Sequence, residues 1–234
     1  MAATLPVAVT HRFPRGISWT RGGPALLECR SHALVDDDGG VWLVDPIDGP
    51  GLDAELAPLG RVVGVIVLLD RHLRDAPAVA RRHGARLLVP PGRWRRAVPD
   101  GAEPIREQVV GCPFHFAPVV ERDRQWLEQL LWWPQQGVLV VAEAVATLDA
   151  YRASAEAIGV HPLLRVRPPV ALRDARLRPT LLLVGHGDPV ERDATPSLLR
   201  ALTRARRDLP LLFVALPRLL LARRRADPRP RSGC

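Results

Sequence analysis

The side chains of this sequence that could do chemistry sit at the ends of apolar runs. Val62 to Leu69 leads into Asp70-Arg71-His72-Leu73-Arg74-Asp75, and Leu181 to Val184 into Gly185-His186-Gly187. Val138 to Ala142 ends at Glu143, and Val41 to Val44 at Asp45. His72, Asp75, Glu143 and His186 carry nitrogen and oxygen donors of the kinds that bind a divalent ion such as zinc, iron or manganese. An open position on such an ion would activate water, with Asp70 or His186 assisting. Arg74 argues the other way. A guanidinium keeps its proton in a protein and offers no lone pair to a metal. Set against Asp70, Asp75 or Glu143, it would neutralise carboxylates that a cation would otherwise hold. One such pair at about 4 Å and an effective dielectric near 20 is worth roughly 4 kcal/mol of Coulomb energy before desolvation. The expectation is therefore an ion-pair cluster centred on Arg74 in place of a metal.

The remaining histidines have ordinary explanations. His11 and His32 read as partly exposed strand residues, His83 as a cation at a helix C-terminus, and His161 as a loop residue before Pro162. His115 is the one candidate substitute ligand. Ser31, Ser154 and Ser197 lack a Gly-x-Ser-x-Gly setting, which argues against a serine hydrolase. Cys29, Cys112 and Cys234 show no CxxC spacing and suggest neither a disulfide framework nor a zinc knuckle.

The elements that must position these groups are legible as alternating strands and helices. His32 to Val35 and Val41 to Val44 flank Asp36-Asp37-Asp38-Gly39-Gly40, a hairpin signal, and Ala25 to Cys29 reads as a strand before them. A short helix is expected near Asp53 to Leu59. Val62 to Leu69, a helix from Ala76 to His83 capped by Asp75 and stopped by Gly84, and Leu87 to Pro90 make a βαβ unit. Its first loop, at the carboxyl end of the first strand, is where α/β proteins place chemistry. Trp126 to Trp133 and Val138 to Ala142 read as a hairpin, Ala150 to Gly159 as a helix, and Thr180 to Val184 as a buried strand. Thr195 with Pro196 opens a last helix. Gly92 to Arg124 carries no clear pattern.

Composition bounds the function. At 234 residues with 47% hydrophobic and 25% charged, the chain fits one core-forming domain, expected over residues 1–216. The net charge of +8 is concentrated in the segment 217–234, read as a basic tail with six arginines against one aspartate. All 33 basic residues are arginine, which looks like a coding habit and not a phosphate-binding surface, so nucleic acid is not the expected partner. No apolar run reaches the roughly 18 residues of a membrane span, and no signal peptide is evident, so a cytoplasmic location is expected.

Two segments together resemble the metallo-β-lactamase superfamily. The strand leading into Asp70 to Ala76 lies where members carry a strand, a His-x-His-x-Asp-His motif and a helix. Leu181 to Gly187 is similar to the late strand that bears the last histidine ligand. Val44-Asp45-Pro46 and Val140-Val141-Ala142-Glu143 add two further matches in the same order, over about residue 20 to residue 207. The resemblance implies an α/β fold, a four-layer αββα sandwich, with its pocket at the loop ends. It also implies a motif that has drifted. Asp70 falls on the first histidine, His72 on the second, Arg74 on the aspartate, Asp75 on the following histidine, and Glu143 on the bridging aspartate. The position of the family's other histidine, counted back from Glu143, falls on Arg124, and His186 keeps the last. Asp45 would either orient the motif loop or serve as a turn residue before Pro46. The reading that follows is a family member with an eroded site, weak or inactive, binding a small molecule or protein or nothing. The alternatives are a single-metal hydrolase of an ester, thioester or phosphoester, and a basic-tail protein contacting an anionic surface.

Overall fold

The computed structural model describes residues 5–21, 28–153 and 156–211. Seven strands form one sheet in sequence order: β1 (Val7–Phe13), β2 (Gly16–Arg21), β3 (Ser31–Val35), β4 (Gly40–Val44), β5 (Arg61–Ile66), β6 (Arg86–Val89) and β7 (Glu103–Pro104). The first four pair antiparallel and β4 to β7 pair parallel. The change of direction follows from the connections. Asp36 closes the β3–β4 hairpin by accepting the Asp38 and Gly40 N–H groups at 3.0 and 2.7 Å. Beyond β4, α1 (Leu52–Leu56) and α2 (Ala76–His83) provide the crossovers that parallel pairing requires.

The second sheet has the order β13-β10-β9-β8. It is built from β8 (His115–Arg122), β9 (Trp126–Trp133), β10 (Val138–Val141) and β13 (Leu181–Val184), with β13 parallel to β10. A short ladder of β11 (Val145–Ala146) and β12 (Gly159–Val160) leads toward α3 (Ala194–Arg204). Leu34, Trp42, Val44 and Ile66 of the first sheet meet Phe116, Leu131, Trp133 and Val140 of the second in one core, against which α3 buries Leu198 and Leu202. The opposite face of the first sheet packs Val41, Leu43 and Val65 against Leu52 and Leu56 of α1 and Val79 of α2. Helix, sheet, sheet and helix form the four layers, and the βαβ unit around Asp70 is present as expected.

Several local expectations are corrected. Ala150 to Gly159 forms no helix over its described residues. The fully buried Arg165 donates instead to Tyr151 O, Val160 O and Glu156 Oε2, and those tertiary bonds override local propensity. α3 starts before Thr195, whose hydroxyl donates to Pro179 O at 2.8 Å, and Asp193 precedes the helix in left-handed backbone. Asp75 precedes α2 but makes no side-chain cap. The segment without a clear pattern contains β7 and β8. Most of the strand expected at Ala25 to Cys29, the domain boundary at 216 and the whole of 217–234 lie outside the described residues.

Candidate functional site

The ends of β4, β5, β10 and β13 converge, and a polar cluster is built there. Asp45 follows β4 in left-handed backbone (φ 47), which a short polar side chain tolerates. Its Oδ1 accepts the Leu68 N–H at 2.8 Å, fixing the chain just beyond β5. Its Oδ2 lies 3.1 Å from His72 Nδ1, and both side chains are buried. Burial pushes the Asp45 carboxyl up to about 6, while Arg74 and the Leu68 N–H pull the other way.

His72 lies in the 3-10 turn Asp70–His72. Burial, then the adjacent Arg74 charge, hold its imidazole well below the usual histidine range, so the ring is neutral at pH 7. Its Nε2 lies 3.2 Å from His186 Nε2, with the rings edge to face at 70°. His72 thus faces the Asp45 carboxylate with one ring nitrogen and His186 with the other, and the tautomer sets which ring donates across the pair. Gly185 makes this approach possible: a Cβ there would fall 2.2 Å from Ala142 O and 3.0 Å from His72 Cε1.

Glu143 closes the other side. Its Oε2 accepts from Arg71 Nη2 at 2.5 Å, and its Oε1 lies 3.5 Å from the Tyr151 hydroxyl and 3.7 Å from His161 Nε2. Burial alone would raise the Glu143 carboxyl. The His72 ring and the Arg71 hydrogen bond and charge outweigh it and bring the carboxyl below its usual range. Arg71 also donates to Gln125 O at 2.9 Å and lies 4.3 Å over the Trp126 ring, a cation–π contact. His161 packs edge to face on Trp126 and Tyr151 at 4.7 and 5.0 Å, and its Nδ1 accepts the Leu163 N–H. Its ring proton therefore sits on Nε2, facing Glu143.

Behind this layer, Glu128 of β9 is fully buried. It accepts the Glu143 and Ala144 N–H groups at 2.8 and 2.9 Å and the Trp126 indole N–H at 2.7 Å. Burial nevertheless pushes its carboxyl up to about 7.

Of the residues singled out in the sequence, Asp45, His72, Glu143 and His186 come together. Arg74 lies beside them in left-handed backbone (φ 43). Its Nη1 donates to Arg30 O at 2.6 Å and Asp45 O at 2.8 Å, and its Nη2 is 3.5 Å from His72 Nδ1. The guanidinium on Glu143 belongs to Arg71 instead, a residue inside the motif that the spacing argument passed over. Asp70 accepts the Leu127 N–H at 3.2 Å, and Asp75 faces Asp48 N at 2.8 Å and Arg21 at 3.5 Å. His115 pairs across the sheet with Trp132 in β8. His32 is a correction: it is buried, bonded to Ser18 Oγ and Val184 O. The sequence does not single out Tyr151, and it shows His161 as a loop residue, because their segment carries no local motif. Among the described residues, no group of three or more His, Cys, Asp and Glu side chains is arranged to hold a metal ion.

Solved structures share this arrangement of layers. The DIM-1 metallo-β-lactamase superposes with a TM-score of 0.62 at 11% identity, over 86% of this chain and 98% of that one. The fold is that of the metallo-β-lactamases. FIM-1 from Pseudomonas aeruginosa, in its mono-zinc form, matches at TM-score 0.54 and 14% identity over 87% of this chain and 97% of that one. A metallo-β-lactamase from Pontibacter korlensis matches at 0.52 and 14% over 84% and 99%. No protein-family profile and no curated protein matches the sequence. The cluster lies where the loops after β4, β5, β10 and β13 meet. No helix among the described residues is long and apolar enough to cross a membrane.

Proposed function

We propose that this chain is a metallo-β-lactamase-fold protein whose polar centre is organised by guanidinium groups and hydrogen bonds, and that it is weak or inactive as a hydrolase. The observation that carries this reading is the ion pair between Arg71 Nη2 and Glu143 Oε2 at 2.5 Å. The carboxylate best situated to serve a cation beside His72 and His186 already has a permanent positive charge against it. Arg74 adds a second guanidinium one residue beyond Leu73, directed at the Arg30 and Asp45 carbonyls. On this reading the residues present do not fit a two-metal centre: Arg74 is no ligand, Asp70 and Asp75 bond elsewhere, and Glu143 is engaged. The role left to the site is binding of a small molecule or a protein. Elemental analysis of protein purified from medium supplemented with zinc, iron and manganese tests it. Metal content far below one ion per chain is expected, and a content near one overturns the proposal.

One observation favours a second reading, a single-metal hydrolase of an ester, thioester or phosphoester. Two nitrogens bound to tetrahedral zinc at 2.0–2.1 Å lie roughly 3.3 Å apart, close to the 3.2 Å between His72 Nε2 and His186 Nε2. With Asp75 turned to Asp48, this reading rests on His72, His186 and Glu143, with His161 nearby. The same metal analysis separates the two. The basic tail, the third candidate, lies outside the described residues.

A further inference from the structure

We infer that the cleft between α3 and residues 156–158, just before β12, is a second binding site, for a small organic molecule carrying a carboxylate or phosphate group. The inference stands apart from the reading of the His72–His186 centre. The cleft encloses about 330 Å³ and is lined by Glu156, Ile158, Ser197, Arg200, Ala201 and Arg204 among others. Positions 197, 200, 201 and 204 recur at three- and four-residue spacing, so α3 presents them on one face. Ile158 and Ala201 are buried and give the cleft an apolar floor, and Ser197 sets a buried hydroxyl beside it.

The charges on the walls decide what the cleft takes. Arg204 Nε is held by Asp208 Oδ2 at 2.8 Å, and Glu156 Oε2 by the fully buried Arg165 at 3.1 Å. Arg200 is different. Its hydrogen bond goes to Ser197 Oγ at 3.2 Å, and among the described residues it forms no ion pair with a carboxylate. Among the described residues Arg200, exposed at the rim, is thus the lining charge without an ion-pair partner, beside a hydroxyl that can turn to donate, while Glu156 keeps its Oε1 without a hydrogen bond on the opposite wall. A planar guanidinium matches the two oxygens of a carboxylate or phosphate. On a convex helix face such an arginine is simply solvated. Here it borders a concave, apolar-floored space, the combination that binds an anion with a hydrocarbon body. The inner wall is also connected to the first site, since Arg165 bonds the backbone of Tyr151 and Val160 as well as Glu156.

Calorimetric titration of the full chain with benzoate and with phenyl phosphate tests the inference, with acetate and benzyl alcohol as the anion-only and body-only controls. One saturable site is expected for at least one of the two aromatic anions, about tenfold tighter than acetate, with no saturation by benzyl alcohol. Which aromatic anion binds tighter identifies the preferred group. Arg200→Gln is expected to weaken that binding by about tenfold or more. Ala157→Trp, at an exposed lining position, is expected to block it, and both variants should unfold at the parent temperature. Failure of both aromatic anions to saturate overturns the inference, as does binding that both variants retain.

Discussion

His72 and His186 meet tip to tip, Nε2 to Nε2 at 3.2 Å, while the far nitrogen of His72 rests 3.1 Å from Asp45 Oδ2. The three side chains form a line from the end of β4 to the end of β13. The imidazole spacing is close to an edge of a zinc tetrahedron, so the engagement of Glu143 with Arg71 becomes the discriminating feature. An Arg71→Ala variant is expected to bind zinc at least about tenfold more tightly than the parent in a competition titration with a chromophoric chelator. Equal affinities would show that the guanidinium does not hold the place of a cation.

Arg74 makes a structural prediction of a different kind. Removing its charged hydrogen bonds strands the Arg30 carbonyl and leaves the Asp45 carbonyl with the Ser31 hydroxyl, so Arg74→Ala is expected to cost about 2–3 kcal/mol in urea unfolding. The backbone there is left-handed. Arg74→Gly loses the same bonds but relieves the Cβ penalty, and is expected to be about 1 kcal/mol more stable than Arg74→Ala. The reverse order would mean that the left-handed backbone at this position carries no strain.

His32 ties stability to pH. Burial, the largest effect, lowers its imidazole to about 4 from 6.5. As pH falls below 6.5 the unfolded chain takes up this proton first. The contribution is fully present above that pH and is lost on the way down to pH 4, a change of about 3 kcal/mol. Asp45 and Glu128 act in the opposite sense. Their carboxyls are raised to about 6 and about 7 from 3.8 and 4.5, so they withdraw stability as pH rises through those windows. The two carboxyls together outweigh the imidazole, so urea midpoints should rise on going from pH 7 to 4, and rise less in the parent than in His32→Asn. Identical slopes would remove His32 from the account.

Glu128 fixes the turn that carries Glu143. Glu128→Gln retains one acceptor oxygen but turns an amide N–H₂ toward backbone or indole donors, and is expected to cost about 1–3 kcal/mol. Glu128→Leu, which leaves all three donors unsatisfied, is expected to cost more. Chemical denaturation followed by tryptophan fluorescence measures both. A Leu variant as stable as Gln would mean that water replaces the carboxylate.

The sequence made the scaffold legible because each apolar run was bounded by turn chemistry: Asp36 to Gly40 before β4, Gly84 after α2, and Pro134 to Gly137 between β9 and β10. Asp45, His72, Glu143 and His186 were visible for the same reason, since each directly follows or closely trails such a run. What the spacing could not give was which arginine would meet which acceptor. Arg71 and Arg74 differ by a little under one helical turn in sequence, and only the left-handed backbone at Arg74 sends it to the carbonyls behind the site. His161 reads as a loop residue before Pro162 and Tyr151 is not singled out, because long-range bonds from Arg165 shape their segment. His32 looked exposed because strand alternation alone does not reveal that the neighbouring β13 covers it.

The grip of Arg74 on two main-chain oxygens sets a limit on redesign. An aspartate introduced there would point its negative charge at the same oxygens, and a histidine would satisfy at most one of them. Installing a working metal-dependent catalyst on this scaffold therefore means re-laying the backbone around residues 30 and 45 together with the side chain, since no exchange at position 74 alone leaves its surroundings content.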